Sequence, residues 1–269
     1  MTARPILFSA PMIQALLDGR KTQTRRILKP QPSPECAGFQ TVFAQAPYFE
    51  AMDAAGRPIN AFPAGRDCVS SYPPVHFTKG DRLWVRETWA QHHPAGVQAG
   101  RFSMAGRAGI PGPPCVTYRV IYRADGDPLR VWHCNDYPYR SAAGPRDEID
   151  GRHPDVCSEF PGWDSPMCMP RWASRITLTV TDVRVQRLQD ISEADAMEEG
   201  VTLGRHGFCV IGVEHPNKDF PTLSRPNARE MYAALWDVIN GNGAWLANPW
   251  VVALTFTVER RNIDAESSS

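Results

Sequence analysis

Prolines and glycines are so unevenly placed in this chain that they separate stretches able to build long regular elements from stretches that are not. Proline has no amide donor and a fixed φ, so a run of prolines excludes central strands and helix interiors. The chain carries 25 prolines and 20 glycines in 269 residues. Residues 30–77 hold Pro30, Pro32, Pro34, Pro63, Pro73 and Pro74 with little sustained periodicity. Residues 91–168 behave alike, with Gly and Pro punctuating 95–114 and an irregular run over 134–168. Connections this long are uncommon in compact domains and often act as lids or insertions. One strand interrupts the second of them, at Val116–Tyr122, where apolar and polar positions alternate.

Between these stretches the pattern is regular. Ile6-Leu7-Phe8 reads as a short buried strand, and Pro11 fits the first turn of a helix whose apolar face is Met12, Ile13, Leu16 and Leu17. Lys79-Gly80-Asp81 is a turn signal before a strand at 82–89. Residues 176–185 alternate for ten positions, which predicts a long half-buried strand. Ser192 opens a short helix, with Asp195 placed as a capping-box partner and Gly200 closing it. Tyr232, Leu235, Trp236 and Ile239 recur at helical spacing over 227–239, and 249–258 reads as a final strand. Long strands, few short helices and no regular βαβ alternation predict an α+β fold: a small mixed β-barrel with long loop insertions. The reading is one domain over 1–262, with insertions at about 30–77 and 91–168 and a disordered tail at 263–269.

The 29 basic and 29 acidic residues cancel. A protein that coats long nucleic acid by counterion release is usually basic, so only a local basic site is expected. No apolar run approaches the ~20 residues of a membrane helix, and the N-terminus lacks a signal-peptide pattern, which predicts a soluble cytoplasmic protein with no membrane partner. Seven scattered cysteines without Cys-x-x-Cys predict neither disulfides nor a metal site. No cofactor is expected.

The local basic site is Gly19-Arg20-Lys21-Thr22-Gln23-Thr24-Arg25-Arg26, directly after the first helix. Gly19 supplies the left-handed cap, so Lys21 and Thr24 lie on a constrained turn. An amine three residues from a hydroxyl is an arrangement a covalent hydrolase could use. Basic residues also favour a helix C-terminus through the macrodipole alone. Four of them at positions 20, 21, 25 and 26 exceed what a cap needs, which points to a phosphate or another anionic partner.

With these segments in place the chain resembles the ASCH family, a branch of the PUA-like barrels, and its phage and prophage members in particular. The signature Gly-x-Lys-x-x-(Glu or Thr)-x-Arg falls on Gly19, Lys21, Thr24 and Arg26. The blocks Gly80–Glu87, Met169–Arg175 and Ile239–Trp250 follow in family order. The resemblance implies a cleft that holds a nucleoside or modified nucleobase, with RNA as a further partner. The motif is similar to that of N4-acetylcytidine amidohydrolases, which implies Thr24 as nucleophile, Lys21 as proton acceptor and a glutamate as proton donor. The family glutamate falls near Thr179, so Glu87 is the replacement, or a salt-bridge partner of Arg86 or the basic turn. Arg20, Arg26, Trp84 and Arg86 are the implied substrate-binding residues. The alternative is a non-catalytic binder of RNA or a modified base.

Overall fold

The computed structural model describes residues 3–42, 48–63, 69–70, 75–94, 119–126, 131–134, 140–142, 156–157, 163–212 and 224–265. In chain order its elements are β1 (Ala3–Leu7), α1 (Ala10–Leu17), β2 (Gln23–Ile27), β3 (Gly38–Val42), β4 (Tyr48–Met52), β5 (Phe62–Pro63), β6 (Val69–Ser70) and β7 (Arg82–Arg86). There follow β8 (Trp89–Pro94), β9 (Arg119–Tyr122), β10 (Val131–Cys134), β11 (Arg140–Ala142), β12 (Val156–Cys157) and β13 (Thr177–Arg187). The last are α2 (Glu193–Glu198), β14 (Thr202–Gly204), β15 (Gly207–Cys209), β16 (Ser224–Arg225), α3 (Ala228–Asn240) and β17 (Trp250–Glu259). They fall into two compact units, one of residues 1–6, 11–85 and 175–269, the other of 7–10 and 86–174.

The first unit is built on a five-stranded sheet in the order β1-β7-β13-β17-β2. Its spine is the antiparallel β13–β17 pair, which runs from Thr177 opposite Glu259 to Arg187 opposite Trp250 with a bulge between Val180 and Asp182. The alternating run at 176–185 and the apolar run at 249–258 are these two strands. From Trp250 to Leu254 every residue of β17 is buried, as a central strand covered on both faces requires. Register fixes what shares a face. Arg25, Ala253 and Arg184 form one row, and Ile27, Val251 and Gln186 the next row on that face. Thr24, Leu254 and Val183 form a row on the opposite face, followed by Arg26, Val252 and Val185.

Helix α3 covers the first of these faces. Asn227 caps it by accepting from the Glu230 amide, and Gly241, at φ 101°, ends it. Its Met231, Tyr232, Leu235 and Trp236 join Val251, Leu188, Ile191 and Ala196 in one buried cluster. Helix α2 begins at Ser192, whose side chain accepts from the Asp195 amide. Only this half of the expected capping box is seen, because the Asp195 carboxylate turns to side chains of β2 and β13 instead.

The expected barrel is corrected. Among the described residues no sheet closes: β1 and β2 end the five-stranded sheet on opposite sides, so the expected PUA-like barrel is not formed there and the fold is α+β with several open sheets. The reason is visible at β2, whose outer side is taken up by the end of α2. Lys21 forms an antiparallel bridge with Glu199, and the Thr22 amide donates to the Glu198 carbonyl at 2.8 Å. The first Pro-rich stretch is also more regular than its sequence suggests, since it holds the β3–β4 hairpin, from Gly38 opposite Met52 to Val42 opposite Tyr48. Ile263 is buried, so the chain is still packed where the tail was expected to start, and residues 266–269 lie outside the described ones.

The second unit carries the sheet β12-β10-β11-β8-β9. Trp89, Met169 and Ala173 form its small core, with Trp172 edge-on to Trp89 at 6.2 Å. Tyr122 donates its hydroxyl to the Ala173 carbonyl at 2.7 Å. The expected strand at 116–122 is β9 from Arg119 onward; residues 116–118 lie outside the described ones.

Candidate functional site

The basic motif is drawn inward by the way α1 ends. The amides of Arg20 and Lys21 both donate to the Ala15 carbonyl, at 2.9 and 3.0 Å, and Gly19 makes the left-handed turn at φ 72°. From Lys21 onward the chain is extended, so side chains alternate between faces. Lys21, Gln23 and Arg25 all reach the acidic residues of α2 and its C-terminal end.

Lys21 is fully buried, and its Nζ donates to Glu199 Oε2 at 2.6 Å and to the Glu199 carbonyl at 2.9 Å. Arg25 Nη1 donates to the other oxygen of Glu199 at 3.1 Å, and the Tyr232 hydroxyl from α3 donates to that same oxygen at 3.3 Å. Arg25 Nη2 donates to Asp195 at 3.0 Å, as does Arg184 Nη2 from β13 at 3.1 Å. Gln23 donates to both Asp195 and Glu198 and accepts from Arg25. Gly200 makes room for the lysine stem: a Cβ there would stand 3.3 Å from Ala15 Cβ and 3.7 Å from Lys21 Cβ, and φ is +105°.

Burial pushes the Lys21 amine below the ordinary lysine range, Glu199 pulls it back, and Arg26 and Arg25 push it further down. Arg26 is likewise lowered by burial against the pull of Glu199 and Tyr232. Asp195 is held low: burial opposes this, but hydrogen bonds from Gln23 and Arg184 and the charge of Arg25 outweigh it. Tyr232 is pushed well up by burial and next by the Glu199 charge. Its linkage has a definite sign. With the folded pKa raised, the unfolded chain holds fewer protons above about pH 10, so the folded state loses stability as pH climbs past that value. In Tyr232→Phe this alkaline loss is expected to shrink, while at pH 7 the variant is less stable by about 1.5–3 kcal/mol for the lost bond to a carboxylate. Urea titrations at pH 7 and pH 10.5 read both effects. An equal alkaline loss in wild type and Tyr232→Phe would show that Tyr232 is not its source.

The opposite face of β2 carries Thr24 and Arg26 among Leu254, Val252, Val183 and Val185. Thr24 is 4% exposed, and its hydroxyl is not one of the buried side-chain atoms left without a partner. It is not joined to Lys21, whose amine is held by Glu199 across the strand. A base must stand within about 2.6–3.2 Å of the proton it takes. Among the described residues, the hydrogen bonds of the Lys21 amine go to Glu199 and none joins Lys21 to Thr24.

The other expected residues have separate places. Arg20 pairs with Asp18 at 2.8 Å near the surface. Trp84 is a buried core residue of β7. Arg86 and Glu87 belong to the second unit; Glu87 is 1% exposed and its amide donates to Met169 Sδ at 3.3 Å. Trp250 is a buried residue of β17 packed against Phe39, edge-on at 4.8 Å, and the Arg187 guanidinium at 4.5 Å. Sequence reasoning counted Arg25 in the basic motif but missed Glu199, Asp195 and Tyr232 as its partners. The available signal was Glu198-Glu199 before Gly200, an acidic pair at a helix C-terminus where the macrodipole disfavours it. Such a pair needs cations, and the basic motif supplies them.

Among the described residues no cluster of His, Cys, Asp and Glu could hold a metal, and no helix is long and apolar enough to cross a membrane. No family model matches the chain, and neither a curated protein nor a solved structure matches it. The hydrolase and RNA-binding expectations thus gain no support from kinship, and with the open sheet they are set aside as descriptions of this protein.

Proposed function

We propose that the protein binds a nucleoside or nucleobase on the Thr24–Arg26 face of β2 and does not hydrolyse it. The observation that carries this reading is the face of β2 on which Thr24 and Arg26, two positions apart, stand beside Leu254 and Val252. A hydroxyl and a guanidinium on one face supply the few polar groups by which a mostly apolar site orients a ligand. Arg26 adds a donor two positions along the same face, and Leu254 and Val252 beside them are apolar, as the flat body of a base requires. The resemblance of Gly19, Lys21, Thr24 and Arg26 to the ASCH signature supports the same ligand class. Fixed in its bonds to Glu199, Lys21 serves the architecture of the strand.

Thermal unfolding with cytidine, N4-acetylcytidine and uridine, followed by chromatography of the mixtures, tests this. At least one nucleoside is expected to raise the melting temperature, with N4-acetylcytidine recovered intact. Thr24→Val keeps the branched shape and removes the hydroxyl, so it is expected to weaken that ligand about 3–10-fold, the worth of one hydrogen bond, with little change in stability. Release of cytidine from N4-acetylcytidine, lost in Thr24→Ala, would replace this reading with a hydrolase. A melting temperature indifferent to all three nucleosides would end it.

A further inference from the structure

We infer that Glu199 is the positioning residue of the ligand-binding strand, an inference that rests on the binding reading above for its consequence but not for its geometry. Strand β2 is the last of its sheet, laddered on one side by β17 alone. An edge strand held on one side is free to twist and fray unless something grips its other side. Here Asp195 and Glu198 hold Gln23 and Arg25 on that side, and Glu199 makes the fully buried part of the grip. Glu199 bridges the Lys21 backbone, takes the Lys21 amine on both its carbonyl and Oε2, and takes Arg25 and Tyr232 on Oε1. Positions 21 and 25 flank position 24. Fixing their side chains to one carboxylate on one face sets where Thr24 and Arg26 stand on the other. Tyr232 extends the grip to α3, so Glu199 joins strand, α2 end and α3 through buried bonds only.

The charge of Glu199 matters to this role as well as its shape. Two cations, Lys21 and Arg25, converge on it, and a neutral amide of the same size would offer one acceptor oxygen where the carboxylate offers two. Glu199→Gln is therefore expected to loosen β2 while leaving β13 and β17, which ladder one another over ten residue pairs, in place.

The experiment is amide hydrogen exchange on wild type and Glu199→Gln without ligand, with nucleoside affinity measured beside it. Exchange of the amides of residues 23–27 is expected to rise at least tenfold in the variant, with those of residues 177–187 changing less than twofold. Affinity for whichever nucleoside wild type binds is expected to fall about tenfold. A variant whose whole sheet exchanges faster by one common factor would show a general stabiliser and overturn the inference, as would unchanged protection of 23–27. If Glu199→Gln does not fold, Tyr232→Phe, which removes one of the bonds, is expected to raise exchange at 23–27 selectively by about threefold, and uniform exchange would again overturn it. Should wild type bind no nucleoside, the binding reading falls, and the exchange pattern still decides whether Glu199 positions the strand.

Discussion

Glu199→Ala is expected to destabilise the protein by about 3–5 kcal/mol, because it leaves the buried Lys21 amine without its carboxylate and Arg25 with Asp195 alone. Lys21 and Arg25 both lose a partner, and the Tyr232 hydroxyl loses its acceptor. For a chain of this size such a loss lowers the melting temperature by roughly 10 °C. The double variant Lys21→Met with Glu199→Met is expected to be the more stable of the two, since an apolar pair of similar volume commonly matches a buried ion pair once both charges are gone. Equilibrium unfolding in urea separates the outcomes. A single Glu199→Ala variant within 1 kcal/mol of wild type would show that solvent reaches the cluster and that its burial means little.

The second large effect belongs to Trp250. Truncation to alanine removes a ring that is 5% exposed and packed against Phe39 and Arg187 at the start of β17. Trp→Ala in a packed core costs about 3–5 kcal/mol, and here the cavity opens where Gln31 holds the Trp250 amide and carbonyl at 2.8 and 2.9 Å. Trp250→Phe is expected to recover most of the loss, because a ring remains against Phe39. Nucleoside affinity in Trp250→Phe should equal that of wild type. A tryptophan that stacks a ligand would behave oppositely, with little effect on stability and a fall in affinity of roughly tenfold or more, the worth of one stacked base.

Local pattern made much of the first unit legible. Ten alternating residues foretold β13, helical spacing of Tyr232, Leu235 and Trp236 foretold α3, and Ser192 marked the start of α2, since each signal acts within a few residues. Closure of the sheet was not legible. It depends on what meets the outer side of β2, and that is Glu198 and Glu199, far along the chain. The same distance hid the partner of Lys21. Its burial and lowered pKa follow the expectation for a buried amine near arginines, but the carboxylate that holds it comes from α2 and not from the strand near Thr179 or from Glu87. Alternation along β2 then decides the chemistry. An odd spacing places Lys21 and Thr24 on different faces, whereas a turn, as the sequence suggested, leaves them free to meet.

The most direct test of ligand binding at Thr24 and Arg26 is a titration of the isotopically labelled protein with cytidine and N4-acetylcytidine, followed by amide chemical shifts. Saturable shifts are expected at residues 23–27 and at Val252 and Leu254, with the midpoint moved to about 3–10-fold higher nucleoside in Thr24→Val. Shifts confined to other parts of the chain, or none at millimolar nucleoside, would contradict binding on this face.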